Sequence, residues 1–361
     1  MTINTAHTAS IAGAWIFSAF AVFIGGCGGG GTSAVGRTDT TASMKEVPVV
    51  AVKANQKISG FPNAIDMYVP SNAQVAVIFL HGGGGRKENF AYELGIKNDA
   101  GAVTSMTSPT GDSWLISKKV MAIFPQGQTQ PGYNAWTWSN YVMDSGQDDV
   151  AFLQSLATAI RTDPTLPAIS KIYLVGHSNG GMMTNRIWCE SPTTFDGYGA
   201  LAGPPSIHLD PGLAASSTNH PCNPITVKPY ISVVGDSDQV LRSTGNMGNK
   251  YWIINPALHT NSVSWIDALS SVLNDQLFHT RRVAMRCAGV PGTPTVNGQI
   301  TTYSDCNDTL RSIVIAQTVV NGTPSGGDHC LRNLSGPCIT TLAGDTGVDY
   351  KSLLVDFLKM F

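Results

Sequence analysis

The residues that most restrict what this chain can become are Gly176-His177-Ser178-Asn179-Gly180-Gly181, which follow the apolar run Ile172-Tyr173-Leu174-Val175 directly. A strand that runs into Gly-x-Ser-x-Gly and then a helix makes a sharp turn with the serine at its tip. The serine backbone is strained there, and side chains two residues to either side would collide with the neighbouring chain. The turn lifts the Ser178 hydroxyl off the sheet and sets the N-terminus of the next helix beneath it. That positive helix end favours negative charge developing beside the hydroxyl. The competing reading is a chance Gly-Ser-Gly turn in a chain with 38 glycines. The strand before the motif and the helix after it argue against chance.

The rest of the chain repeats this alternation. Short apolar runs stand at Val75–Leu80, Val120–Phe124, Ile172–Val175, Tyr230–Val234 and Ile313–Ala316, with longer helical patterns between them. Runs apolar at every position are strands covered on both faces, so the pattern predicts an α/β fold, a mainly parallel sheet with helices on both faces. Ser145, with Asp148 three residues on, is the expected cap of a helix carrying Val150, Leu153, Leu156, Ala157 and Ile160 on one face. Tyr350, Leu354, Phe357, Leu358 and Phe361 predict a last amphipathic helix. No internal repeat and no second linker interrupt residues 47–361, which read as a single catalytic domain.

A serine hydroxyl is a poor nucleophile until a base takes its proton and a carboxylate orients that base. In α/β-hydrolases the chain order is serine, acid, histidine. Past Ser178, the run ending at Val234 opens into Gly235-Asp236-Ser237-Asp238, and an acid is expected there; Asp238 is the choice and Asp236 the reserve. Five histidines follow the motif: His208, His220, His259, His279 and His329. Only His329 follows a clear late strand in a glycine-marked loop, Gly326-Gly327-Asp328-His329, ahead of the last helix. The expected catalytic set is Ser178, Asp238 and His329.

An oxyanion hole needs two backbone donors. Asn179, next after the serine, supplies one N–H, and the glycines of Leu80-His81-Gly82-Gly83-Gly84-Gly85 supply the other, with Gly82 and Gly83 the candidates. A phosphate cradle is the rival reading of this loop, but it lacks the Gly-Lys-Ser/Thr ending of a P-loop and the spacing of a dinucleotide fingerprint. His81 precedes the turn and reads as structural. There is no His-Glu-x-x-His and no Cys/His cluster at ligand spacing, so neither a metal nor a cofactor is expected.

Composition bears on where such a chain works. Only 13% of residues are charged against roughly 25% in an average soluble domain, and the formal net charge is −2. With no Lys/Arg run, nucleic acid is excluded as a partner. Residues Ile11 to Gly26 are free of charge, shorter than the about 20 residues of a membrane span, and end at Ile24-Gly25-Gly26-Cys27. This resembles a bacterial lipobox, although Met1–Ser10 lacks the usual Lys or Arg. The alternatives are an ordinary cleaved signal and a membrane anchor. The expectation is a signal peptide over 1–26, lipidation and membrane anchoring at Cys27, and a flexible tether over 27–46, in an exported, periplasmic or cell-surface protein. Six further cysteines, Cys189, Cys222, Cys287, Cys306, Cys330 and Cys338, are enough for three bridges. Sequence neighbours favour 189–222, 287–306 and 330–338.

The His81–Gly85 loop, Gly176–Met183, Gly235–Val240 and Gly326–His329, with Ala135-Trp136-Thr137-Trp138 and Asp148–Leu153, together resemble the extracellular poly(3-hydroxybutyrate) depolymerase and feruloyl-esterase-like group of α/β-hydrolases. The likeness covers most of residues 70–240, then the histidine loop and last helix; residues 241–310 depart from it. It implies a cofactor-free serine hydrolase acting on a small or polymer-derived carbonyl or ester substrate. Lipobox-bearing members of this size hydrolyse the β-diketones of oxidised poly(vinyl alcohol), the leading expectation here, with carboxylester or polyester hydrolysis the alternative. Granule-degrading members carry a further binding domain, so a chain ending at Phe361 is expected to act on soluble substrate. Trp136, Trp138, Trp252 and Trp265 are candidate walls of an apolar groove, although burial in the core is the favoured reading of any one of them. A non-catalytic surface lipoprotein that kept the fold as a binding module is the second alternative.

Overall fold

Strands rich in Val, Ile and Phe, buried at every position, build the centre of the molecule. The computed structural model describes residues 47–97, 109–129, 132, 135–210, 213–224, 226–236, 238, 240, 281–289, 292–316, 318–320, 323–325, 327–331 and 348–361. Its main sheet has ten strands: β1 (Val50–Gln56), β2 (Ile65–Pro70), β3 (Val75–Leu80), β4 (Val120–Pro125), β7 (Lys171–His177), β8 (Gly197–Leu201), β9 (Tyr230–Gly235), β10 (Thr295–Asn297), β11 (Ile300–Asp305) and β12 (Leu310–Ile315). Two small ladders stand apart, β5 (Gln128–Thr129) with β6 (Trp136–Thr137) and β13 (Thr318–Val320) with β14 (Thr323–Ser325). In the main sheet the order is β1-β2-β4-β3-β7-β8-β9-β12-β11-β10. The stretch from β4 to β12 is parallel throughout, and antiparallel pairs flank it on both sides.

Alternation along β3 explains why two cores form. Ala76, Ile78 and Leu80 enter one apolar cluster with Trp138, Phe152 and Ile187, while Val75, Val77 and Phe79 enter the other with Phe90, Leu115 and Leu354. The first cluster packs under α3 (Asp149–Thr162) and α4 (Asn179–Glu190); the second packs under α1 (Lys87–Glu93), α2 (Pro109–Lys118) and the last helix, Tyr350–Leu358. Phe79 stacks on Phe124 with ring centroids 5.2 Å apart. Truncating so deeply buried a ring to Ala costs about 3–5 kcal/mol. Val47–Phe361 forms one compact unit.

Two details differ from the expectations, the cap of α3 and the place of Phe361. The cap of α3 is Asp148, whose carboxylate accepts from Ala151 N–H at 3.0 Å; Ser145 lies further out and donates its hydroxyl to Asp149 at 2.6 Å. A carboxylate at that position meets the free first-turn amides directly, which a serine four residues before the helix cannot reach. Trp138 takes the favoured reading, full burial in the core, with its indole N–H drawn inward to the His81 carbonyl. Phe361 remains 38% exposed beyond the end of the last helix. Strands β1, β2, β8, β10 and β11 escaped the sequence reading.

Two disulfides join sequence neighbours, Cys189–Cys222 and Cys287–Cys306, with Cα atoms 4.7 and 5.0 Å apart. Cys330 is also disulfide-bonded. Cys27, Cys338, Trp252 and Trp265 lie outside the described residues, as do the segments 1–26 and 27–46.

Candidate active site

Ser178 follows β7 immediately and caps α4 with φ 50° and ψ −118°, a left-handed backbone that costs a non-glycine residue roughly 1–3 kcal/mol. Its surroundings enforce that strain. A Cβ on Gly176 would overlap the Gly180 carbonyl, and one on Gly180 would overlap the carbonyl of Leu80 at the end of β3. The elbow therefore fits against the neighbouring strand only with glycine at both positions. Ser178 N–H donates to Leu201 O and its carbonyl accepts from Met182 N–H, each at 2.8 Å, so both peptide groups flanking the serine are held.

Parallel pairing brings the partners in. β9 lies between β8 and β12, and the loops leaving β9 and β12 emerge at the same edge as the elbow. There His329 Nε2 lies 2.8 Å from Ser178 Oγ, and His329 Nδ1 lies 2.8 Å from Asp238 Oδ2. A carboxylate only accepts, so Nδ1 carries the ring proton and Nε2 is left to accept from the serine hydroxyl. Asp238 is 1% exposed, and His329 is partly open to solvent. Asp236 takes a different place: its N–H continues the β9–β12 ladder by donating to Ile315 O at 3.0 Å. Of the two acids weighed, Asp238 is the one brought to His329.

Two other histidines hold this line in position. His177 is buried, its Nε2–H donates to the His329 carbonyl at 3.1 Å, and burial lowers its pKa to about 3. His81 is also buried and uses both nitrogens. Gly127 N–H donates to Nε2 at 2.9 Å, which fixes the proton on Nδ1, and Nδ1–H donates to Gly82 O at 2.7 Å. Burial lowers the pKa of His81 to about 4, so the ring is neutral at ordinary pH. The Gly82 carbonyl also accepts from Gly85 N–H at 3.0 Å.

That clamp has a geometric consequence. The Gly82 carbonyl and the Gly83 N–H belong to one trans peptide and point in opposite directions. Pinning the carbonyl to His81 therefore turns the Gly83 N–H away from His81. A Cβ added to Gly82 would meet His177 and Ser178, and one on Gly83 would meet Asn179 and Met143. Among the described residues, the amides of Gly84 and Gly85 are committed to Trp136 O and Gly82 O, while those of Gly82 and Gly83 have no such partner. The Asn179 N–H, in the first turn of α4, has no acceptor within the helix.

The side chain of Asn179 ties the elbow to the next loop. Its Oδ1 accepts from Trp138 N–H at 2.8 Å, and its Nδ2 donates to Trp138 O at 3.2 Å. Asn140 Nδ2 reaches the Asn179 carbonyl at 3.0 Å. Above this floor opens a pocket of about 1080 Å³, walled by Trp136, Tyr141, Met143, Met182, Ser178 and His329 among others. His208 and His220 flank Tyr141 on that wall, with ring centroids 6.1 and 4.6 Å away. His259 and His279 lie outside the described residues. Among the described residues, no group of three or more His, Cys, Asp or Glu side chains is placed to hold a metal ion.

Sequence reasoning missed Gln126, Gly127, Asn140 and the positioning work of His177. None sits in a motif of its own, and each acts through a bond to a residue distant along the chain. A hydroxyl, an imidazole and a carboxyl group in hydrogen-bonded line, beside unused amides, can transfer a proton as an oxygen nucleophile attacks a carbonyl.

No protein-family model matches the chain. A curated protein named "Putative esterase NocK", from Nocardia uniformis subsp. tsuyamanensis, is 25% identical over 203 residues, 55% of this chain. The match takes in 49% of that protein, so the chain spans about half the length of the curated relative it matches. Among solved structures, an acetyl xylan esterase from Aspergillus awamori superposes with a TM-score of 0.50 at 13% identity, covering 85% of this chain and 99% of the other. A CIB-like hydrolase from Thermoplasma acidophilum gives a TM-score of 0.40 at 12% identity, covering 87% and 100%. The architecture is the α/β-hydrolase fold.

Proposed function

We propose that the chain is a serine hydrolase that transfers an acyl group from a neutral carbonyl substrate to water. The observation that carries this reading is the line Ser178 Oγ–His329 Nε2, His329 Nδ1–Asp238 Oδ2, each step 2.8 Å, on the floor of the pocket. His329 takes the hydroxyl proton as Ser178 Oγ bonds to the substrate carbonyl carbon. The oxygen that becomes negative meets the amides of Asn179, Gly82 and Gly83. Asp238 keeps the imidazole oriented and balances its charge. His329 then gives the proton to the leaving group, and water, deprotonated by the same histidine, releases the acid from Ser178.

Carboxylic esters are the first substrate class, supported by the esterase names of the curated relative and of the acetyl xylan esterase. The β-diketones of oxidised poly(vinyl alcohol) are the second, supported by the resemblance and by the size and apolar walls of the pocket. In that reaction the bond from the attacked carbonyl carbon to the central carbon of the diketone breaks, and the enolate of the remaining ketone leaves in place of an alkoxide. We further propose that the chain is exported and anchored through a lipid on Cys27, with two disulfides suited to an oxidising compartment. Mass spectrometry of the mature N-terminus tests the anchor: an unmodified Cys27 overturns it.

The function is tested by labelling with a fluorophosphonate and by parallel assays of a p-nitrophenyl ester, 3-hydroxybutyrate oligomers and a soluble β-diketone. Ser178→Ala is expected to abolish both labelling and turnover. A wild-type protein that takes no label would return the chain to the status of a binding module.

A further inference from the structure

We propose that Met143 is an oxidation site that shuts the pocket down, because its thioether bonds the Asn179 side chain and lies beside the glycine loop, the two segments that together receive the oxyanion. The inference rests on the hydrolase reading above. Met143 Sδ accepts from Asn179 Nδ2 at 3.2 Å and from Thr137 Oγ1 at 3.4 Å. Its other side meets the glycine loop: a Cβ built on Gly83 would stand 3.6 Å from Sδ and 3.8 Å from Cε, ordinary contact distances. One sulfur thus bonds the first residue of α4 and faces the loop that presents Gly83, with room for about a methyl group between them. The backbone holds it there, since Met143 N–H donates to Asn140 Oδ1 and its carbonyl accepts from Asn140 N–H, both at 3.0 Å.

The sulfur is also within reach of a reagent. Met143 is partly exposed and lines the pocket, whereas Met67, Met121, Met182, Met183 and Met285 are at most 7% exposed. Met360 is open at 62%, but it follows the last helix. Hydrogen peroxide supplies the oxidant. A sulfur lone pair attacks one peroxide oxygen, the S–O bond forms and the O–O bond breaks. Sulfur gives up two electrons, and the departing hydroxide takes the proton from the transferred oxygen and leaves as water.

The product is polar, pyramidal at sulfur and a stronger acceptor than the thioether. Its oxygen enters the space between the sulfur, Asn179 Nδ2 and the Gly83 backbone. There it draws Nδ2 from Trp138 O and offers the neighbouring amides an acceptor that competes with the substrate oxyanion. Leucine fills a similar volume and has no sulfur to oxidise.

The full-length protein is treated with hydrogen peroxide, and p-nitrophenyl acetate turnover, fluorophosphonate labelling and peptide masses are followed together. Wild type is expected to lose roughly 100-fold in kcat/KM, the scale of a lost oxyanion donor, in step with one added oxygen at Met143. Methionine sulfoxide reductase restores it. Met143→Leu starts from its own lower rate and keeps that rate under peroxide, while Met182→Leu declines like wild type. Full oxidation at Met143 with unchanged turnover overturns the proposal, as does an equal fractional loss in Met143→Leu. An untreated wild type that turns over no ester and takes no label overturns the hydrolase reading, and this inference with it.

Discussion

His177, the residue before the serine, closes on the backbone of a residue 152 positions further along: its Nε2–H donates to the carbonyl of His329 at 3.1 Å. The imidazole facing Ser178 is thus held by Asp238 through its ring and by His177 through its main chain. His177→Ala is expected to lower kcat by roughly 100-fold with KM little changed, the scale of a misplaced reacting group. His177→Gln, which retains a donor, should recover part of the loss. Steady-state kinetics on one ester separates the two parameters; a pure KM effect would count against positioning.

Asp238 and Asp236 stand two residues apart on one loop but make different bonds, and substitution should separate them. Asp238→Asn removes the charge that orients His329 and is expected to cost about 10⁴-fold in kcat. Asp236→Asn leaves its N–H to Ile315 O in place and should retain turnover within a few-fold. A reversal of this order would move the acid to Asp236.

Both buried histidines make stability depend on pH. His81 and His177 have folded pKa values of about 4 and about 3, below the ordinary 6.5. Between those values and 6.5 the unfolded chain binds protons that the folded chain does not, so stability falls as pH drops below about 6.5. His81 alone accounts for roughly 3 kcal/mol over that window at about 1.4 kcal/mol per pH unit. Urea unfolding at pH 7 and pH 5 should show the decline, and His81→Asn should flatten its slope.

The disulfide Cys189–Cys222 closes a segment of sequence separation 33 that carries His208 and His220 against Tyr141 on the pocket wall. Replacing both cysteines by serine is expected to cost about 3–4 kcal/mol by the loop-entropy relation. KM should rise more than kcat falls, because the wall loosens while the Ser178–His329 line stays intact. Denaturant midpoints and ester kinetics on the double variant check both effects.

Most central parallel strands were legible because burial on both faces leaves an unbroken apolar run, as in Val75–Leu80; β8 is equally buried, but Gly197 and Gly199 break its run. The elbow was legible because only glycine fits Gly176 and Gly180. Edge strands were not: β10 is exposed along its whole length and β11 is half-buried, so neither carries an apolar signature. Ser178 and His329 could be placed from their glycine-marked loops. Gln126, Gly127 and Asn140 could not, because hydrogen bonding to His81 or Asn179 depends on which loops the sheet brings together. Trp138 took the favoured reading, burial in the core, whereas Trp136 lines the pocket; an indole beside a pocket and one beneath it look alike in sequence.

The parallel pairing of β9 with β12 sets Ser232 Oγ 2.8 Å from Ser312 Oγ, across 80 residues of chain. Contacts so far apart form only after a large entropy of loop closure has been overcome, which slows folding. Helices can gather locally well before this pair registers, and His329 cannot meet Asp238 until it does. In a refolding experiment, helical signal should return first and ester turnover last. On the proposed hydrolase reading, recovery of turnover would time the final long-range step of assembly.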